Sequence, residues 1–217
     1  MSLNWFKPLI LSLTLLTSLT SWAQNQPRVV LKTNLGDIVL EMQTDAAPKT
    51  VDNFLKYVKS GFYNGTIFHR VINNFMIQAG GYDKNLKDKV PRKAIPSEAR
   101  IALEHGLKND LGTVAMARTD DPNSASSQFF INVRDNDFLN HQILPDGDVV
   151  EYRFRGELKS APRAQALHQT AGYTPFARVV EGMDVVEKIK QVETGEMGMM
   201  KDVPLKPIII ESAKIIN

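Results

Sequence analysis

A chain of 217 residues, 43% apolar and 23% charged, is long enough for one domain with a sizeable core, and its composition excludes a disordered or collagen-like chain. Cysteine is absent, which rules out disulfides, a thiolate nucleophile and cysteine-based metal sites. A formal charge of +2, from 26 basic and 24 acidic residues scattered along the chain, is not the footprint of a nucleic-acid-binding face.

Lys7 precedes an apolar run from Pro8 to Leu19, and Ser21-Trp22-Ala23 puts small residues at the two positions a signal peptidase reads. Residues 1–23 are therefore read as a cleaved secretory signal, delivering the mature chain to the periplasm of a diderm bacterium or otherwise outside the cell. About twelve apolar residues fall short of the ~20 that span a bilayer, so no stable membrane insertion is expected after cleavage.

The mature domain is placed at residues 28–217. Its first runs, RVVLKT at 28–33 and DIVLEM at 37–42, flank Asn34-Leu35-Gly36 and predict a hairpin. Asp45 and Pro48 stand where a helix is capped and begun, and Val51, Phe54, Leu55 and Val58 recur at helical spacing before Gly61. Short strands are predicted at 66–72, 75–79, 113–117, 128–133, 176–180 and 208–215, with a second helix at 184–190. Many short strands with few helices argue for a closed or nearly closed barrel.

Residues 141–172 interrupt this regularity and are read as an insertion between two barrel strands. Pro145-Asp146-Gly147 marks a turn, 149–154 suits a strand and 161–169 a short helix. Met197, Met199 and Met200, in a glycine-containing stretch, are read as a flexible loop. His105, His141 and His168 lack metal-ligand spacing to one another. Ser124, Ser126 and Ser127 have no base nearby in sequence, which argues against a hydrolase.

One cation stands out. Arg70 lies in Phe68-His69-Arg70-Val71-Ile72, close to Phe75-Met76-Ile77-Gln78, with Ser127-Gln128-Phe129-Phe130-Ile131 some way on. Burying a guanidinium among apolar residues costs several kcal/mol, as an order-of-magnitude figure, unless a polar group meets it. His69 falls on the opposite strand face and is read as a core histidine with its polar atoms satisfied. Taken singly, Phe75, Met76 and Phe130 are ordinary core residues. Gln78 and Gln128 are equally suited to satisfying backbone groups, and Gln128 to holding Arg70.

The segments APKTVDNF, GFYNGTIFHRV, FMIQ, GTVAMAR, SQFFIN and FARVVEGMDVV, in this order and spacing, resemble the cyclophilin family of peptidyl-prolyl isomerases, over about Arg28 to Ile216. The resemblance implies a mainly β fold, a closed eight-stranded antiparallel barrel capped by two α-helices, with the groove outside the barrel. It implies catalysis of Xaa-Pro rotation in exported proteins without cofactor or metal, by a monomer whose partners are proline-containing polypeptides. The family's catalytic arginine corresponds to Arg70. Phe75, Met76, Phe130 and Leu139 correspond to its proline pocket, Gln78 and Gln128 to its polar contacts, and Ala117 and Arg118 to the segment that meets the residue before proline.

Two rim positions depart from the family's usual residues while remaining aromatic. Phe138 replaces a frequent tryptophan beside Leu139, and Tyr173 a frequent histidine. The insertion lies between them and is read as one rim of the groove.

The chemistry implied is physically coherent. A twisted Xaa-Pro amide localises a lone pair on the prolyl nitrogen, so a fixed cationic donor favours it over the planar ground state. Bringing exchange from tens of seconds to milliseconds requires about 10⁴-fold, or about 5.4 kcal/mol. One preorganised donor supplies about 3–4 kcal/mol of that. The alternative reading is a prolyl-peptide-binding chaperone module in which isomerisation is incidental, and a pure binder has no need of Arg70.

Overall fold

Alternating burial along Arg28–Thr33 (β1) and a buried run in Gly36–Met42 (β2) make a hairpin whose last pair is Thr33 with Gly36. The computed structural model describes residues 26–154 and 156–216, so the segment read as a signal lies outside the described residues. Next come Pro48–Lys59 (α1), Thr66–Ile72 (β3), Met76–Asp83 (β4), Ala99–Glu104 (α2), Thr113–Met116 (β5) and Phe129–Asn132 (β6). A single 3-10 turn at Asp137–Leu139 leads to Val149–Phe154 (β7), Glu157–Pro162 (β8) and Arg163–Gln169 (α3). Pro175–Glu181 (β9), Met183–Lys190 (α4), Thr194–Met197 (β10), Met200–Pro204 (β11) and Ile209–Ile216 (β12) complete the chain.

Eight of these strands close an antiparallel barrel in the order β1-β12-β3-β4-β6-β5-β9-β2. Closure removes the exposed edges that an open sheet of this size would present. Val51, Phe54 and Val58 of α1 and Val185, Val186 and Ile189 of α4 join Leu31, Leu40, Phe129 and Phe176 of the barrel in one buried cluster. Phe54 sits at its centre, with ring centroids 5.1 Å from Tyr63, 5.5 Å from Phe129 and 5.0 Å from Phe176.

The two helices predicted outside the insertion are thus α1 and α4, which pack into the barrel core, α3 is the short helix predicted within the insertion, and α2 is the one helix among the described residues that was not predicted. Helix α2 spans six residues, too few for an apolar period to show in sequence. Helix α3 begins only at Arg163, because β8 runs to Pro162, and the predicted helix start at 161 is strand. Residues read as a flexible methionine loop instead pair as β10 with β11, Gly195 opposite Val203 and Met197 opposite Met200. Met, Gly and Glu in that stretch give no strand alternation; the pairing is secured by burial of Val203 and Pro204.

Asp45 does not cap α1, whose N-cap residue, Ala47, makes no side-chain cap bond. The cap comes from Glu98, 3% exposed, whose carboxylate accepts from the Lys49 N–H at 3.1 Å and from the Thr50 N–H and hydroxyl at 2.8 Å each. An ionised acceptor at a helix N-terminus meets both orphan donors and the positive end of the dipole. Glu98→Ala is expected to destabilise the protein by about 2 kcal/mol, since it strands buried N–H groups. Urea unfolding would measure this, and a loss under about 0.5 kcal/mol would show that water caps the helix equally well.

The insertion has a core of its own. Leu144, Val150, Tyr152, Ala161 and Ala166 pack together, flanked by Phe154. Its neck is narrow: the Tyr173 N–H donates to the Leu139 carbonyl at 2.9 Å and the Gln142 N–H to that of Thr170 at 3.1 Å. Gly172 permits this approach, with φ +71° and no room for a Cβ, which would lie 2.4 Å from the His141 nitrogen.

Candidate active site

Between Phe68 and Arg70 the pairing of β3 with β4 shifts register, and the next pair sets Arg70 opposite Gln78. The irregularity breaks simple alternation: Phe68, His69 and Val71 are buried, while the Arg70 side chain is 43% exposed. The sequence expectation of a buried cation is therefore corrected. Arg70 lies on the outer side of a groove, and its Nε donates to Asp202 Oδ2 at 3.4 Å.

Outside the barrel core, Met76, Phe130 and Leu139 form a second buried apolar cluster with Ala115, flanked by Ile72, Phe75, Ala117 and Tyr173. The strands explain why: Phe130 of β6 stands opposite Gln78 of β4 and Ala115 of β5. This cluster walls a groove of about 210 Å³ whose polar lining is Arg70, Gln78 and Arg118. The sequence-predicted Phe75, Met76, Ala117, Phe130, Leu139 and Tyr173 all line it as well.

A second hollow of about 160 Å³ adjoins the first, sharing Gln78, Ala117 and Arg118 and continuing to Thr119, Ser124, Ser126 and Gln128. Gln78 Nε2 donates to Gln128 Oε1 at 2.8 Å. Gln128 thus fixes Gln78, whereas the expected hold on Arg70 comes from Asp202. The Gln128 carboxamide crosses Gly81 so closely that a Cβ there would lie 2.5 Å from its nitrogen.

Arg118 is committed to the scaffold. Its Nε donates to the Gly172 carbonyl at 2.9 Å, its Nη1 to those of Thr119 and Asp120 at 2.8 and 3.2 Å, and the guanidinium lies 4.5 Å from the Tyr173 ring centroid. Tyr173 in turn meets Phe130 edge to face at 5.6 Å. Phe138 stands apart from the other predicted residues. It is 66% exposed and does not line the groove, stacking instead on Phe75 at 5.7 Å. The exposed 3-10 turn turns Leu139 inward and its neighbour outward.

His69 is 4% exposed, but its Nδ1 has no hydrogen-bond partner among the described residues. The expectation of a fully satisfied histidine therefore fails at Nδ1, while the ring also meets Tyr82 edge-on at 4.7 Å. Burial chiefly pushes its pKa down to about 4, and the Arg70 charge acts the same way against opposing contributions from the Ile67 backbone and Gln128.

Sequence reasoning missed three asparagines beneath the groove. Asn136 Nδ2 donates to the Phe75 carbonyl at 2.9 Å and to Asn132 Oδ1 at 2.8 Å. Asn109 Nδ2 donates to Asn140 Oδ1 at 3.0 Å and to the carbonyls of Leu139 and Tyr173 at 3.3 and 3.4 Å. The three groove-wall residues are therefore held by their backbones through one buried amide network. Only Asn132, which interrupts the apolar run Phe129-Phe130-Ile131-Asn132-Val133, offered a sequence signal; Asn109 and Asn136 stand among charged residues. A larger hollow of about 600 Å³ lies elsewhere, between Asn64, the turn from Asp83 to Lys89 and Ile209, and it shares no residue with the groove of Arg70.

Comparison with known proteins gives a consistent picture. The family described as cyclophilin type peptidyl-prolyl cis-trans isomerase/CLD matches residues 28–215. Peptidyl-prolyl cis-trans isomerase B of Escherichia coli is 51% identical over 187 residues, covering 86% of this chain and 98% of that protein. Peptidyl-prolyl cis-trans isomerase cyp18 of Streptomyces antibioticus is 49% identical, covering 87% and 98%. A crystal structure of a cyclophilin type peptidyl-prolyl cis-trans isomerase from Cryptosporidium parvum shares the fold at a TM-score of 0.62 and 23% identity, over 88% of this chain and 98% of that one. A groove with a cation at its edge, on a closed eight-stranded barrel, agrees with these matches, and the chain belongs to the cyclophilin-type peptidyl-prolyl cis-trans isomerases.

Proposed function

We propose that this isomerase turns Xaa-Pro bonds in polypeptides that fold after export, with Arg70 as the donor to the prolyl nitrogen. The observation that carries the assignment is Arg70 lining one groove with Phe75, Met76, Phe130 and Leu139. The pyrrolidine ring seats on those apolar walls and stays fixed while the acyl side rotates. As the amide twists, resonance is lost and the nitrogen gains a localised lone pair, which a guanidinium N–H meets. Gln78, oriented by Gln128, supplies a fixed polar contact to the peptide backbone, and the adjoining hollow receives side chains before the proline. No covalent intermediate is needed.

Proline-containing polypeptides are the partners in this reading. A second Cryptosporidium parvum structure, at a TM-score of 0.61, was determined in the presence of the dipeptide Ala-Pro. The chain acts as a monomer, since a single copy carries every wall of the groove. Residues 1–23 direct export, to the periplasm in a diderm organism. Exchange NMR on an Xaa-Pro peptide reads bound population and cis–trans exchange separately. An Arg70 variant that binds but no longer speeds exchange supports the assignment, and an unchanged rate overturns it.

The insertion serves as a rim that filters substrates. Its support is the neck, where Leu139 and Tyr173 of the groove wall are bonded to each other at 2.9 Å. Excising 143–169 and closing the gap with two glycines is expected to leave short-peptide turnover within about twofold and to change turnover on a proline-limited refolding protein about fivefold or more, given that most of a folded client lies beyond the proline pocket. Equal turnover on both substrates, with an unchanged melting temperature, would rule the filter out.

A further inference from the structure

Asp202 stands 132 positions from Arg70 and meets it only in the folded chain, Nε to Oδ2 at 3.4 Å. Its backbone has φ +60°, a left-handed conformation that aspartate and asparagine adopt more readily than other side chains with a Cβ. The next two residues, Val203 and Pro204, are buried and pair with Gly195 and Thr194. The turned backbone thus sits on an anchored strand, which packs along β3, the strand that carries Arg70. The neighbouring cation, Lys201, pairs with Glu196 at 3.4 Å, which leaves the Asp202 carboxylate to Arg70.

We propose that Asp202 is a positioning residue for Arg70, holding Nε so that both Nη groups are presented to the groove before the peptide arrives. A long, half-exposed arginine side chain samples many rotamers, and a carboxylate on Nε selects those that aim the outer N–H groups one way. Removing that selection weakens a contact formed in the transition state and leaves ground-state seating of the ring untouched. The inference rests on Arg70 being the donor.

Two substitutions keep the backbone conformation. Asp202→Gly removes the carboxylate at a position whose φ suits glycine, and Asp202→Asn keeps an oxygen acceptor without the charge. The expected result on an Xaa-Pro peptide is a fall in kcat of about tenfold for Asp202→Gly with KM within about twofold, because misplacement of a catalytic group chiefly costs rate. The Arg70 Nε–Hε NMR resonance should shift or broaden in the same variant, and Asp202→Asn should recover most of both. Asp202→Gly combined with Arg70→Ala should be no slower than Arg70→Ala alone. An unchanged or raised kcat for Asp202→Gly with the Arg70 resonance unmoved overturns the proposal. Full activity of Arg70→Ala instead overturns the donor assignment, so the two failures are distinguishable.

Discussion

Arg70→Ala is expected to lower kcat/KM on an Xaa-Pro peptide by about 10²–10³-fold, or about 2.7–4 kcal/mol, the effect of losing one preorganised donor. The Arg70 side chain is 43% exposed, and water weakens a donor there, so the low end of that range is the expected value. Peptide binding should change little, since the ring's contacts are with Phe75, Met76, Phe130 and Leu139. Arg70→Lys should fall between, because an ammonium retains the charge and loses the planar fork of donors. Exchange line-shape analysis at saturating peptide gives the rate, and titration gives the affinity. A variant whose affinity falls while its rate at saturating peptide is unchanged would mean that Arg70 only holds the ground state.

The second large effect concerns His69 and acid. The folded protein keeps this imidazole neutral down to about pH 4, mainly through burial, while the unfolded chain protonates it below about pH 6.5. Between those values the unfolded state binds more protons, so stability falls as pH falls and is fully present only above about 6.5. A shift of this size corresponds to roughly 3 kcal/mol lost by pH 4. Glu104 and Asp184 have pKa values lowered chiefly by the hydrogen bonds they accept from Arg100 and Lys188, so the contribution of these exposed pairs fades only as pH falls below the ordinary carboxylate range. Urea unfolding at steps from pH 7.5 to 4 should show the decline, and His69→Phe, which keeps an aromatic edge against Tyr82, should flatten it. A wild-type stability that stays level from pH 6.5 to 4.5 would refute the account.

Both expectations depend on partners that no local pattern announces. The apolar alternation of β1 and the helical spacing of Val51, Phe54 and Val58 were legible because each is imposed by the element's own geometry. The groove walls were legible for a different reason, a resemblance across separated motifs, since Phe130 alone reads as core. By contrast, Arg70 read as buried because its neighbours are apolar; the register shift before it and the exposed outer face of β3 reversed that. Phe138 read as a wall and instead backs Phe75 from outside.

The amino-acid order alone settled which runs become the eight barrel strands and the two helices packed on them, because periodicity and turn residues act over a few neighbours. It also carried the identity of the side chains that meet in the groove. Tertiary structure alone decided what restrains them: Asp202 on Arg70, Gln128 on Gln78, the asparagines on three wall carbonyls and Glu98 on the first turn of α1. These polar contacts join positions far apart in the chain, and they exist only once closure of the barrel has set the strands side by side.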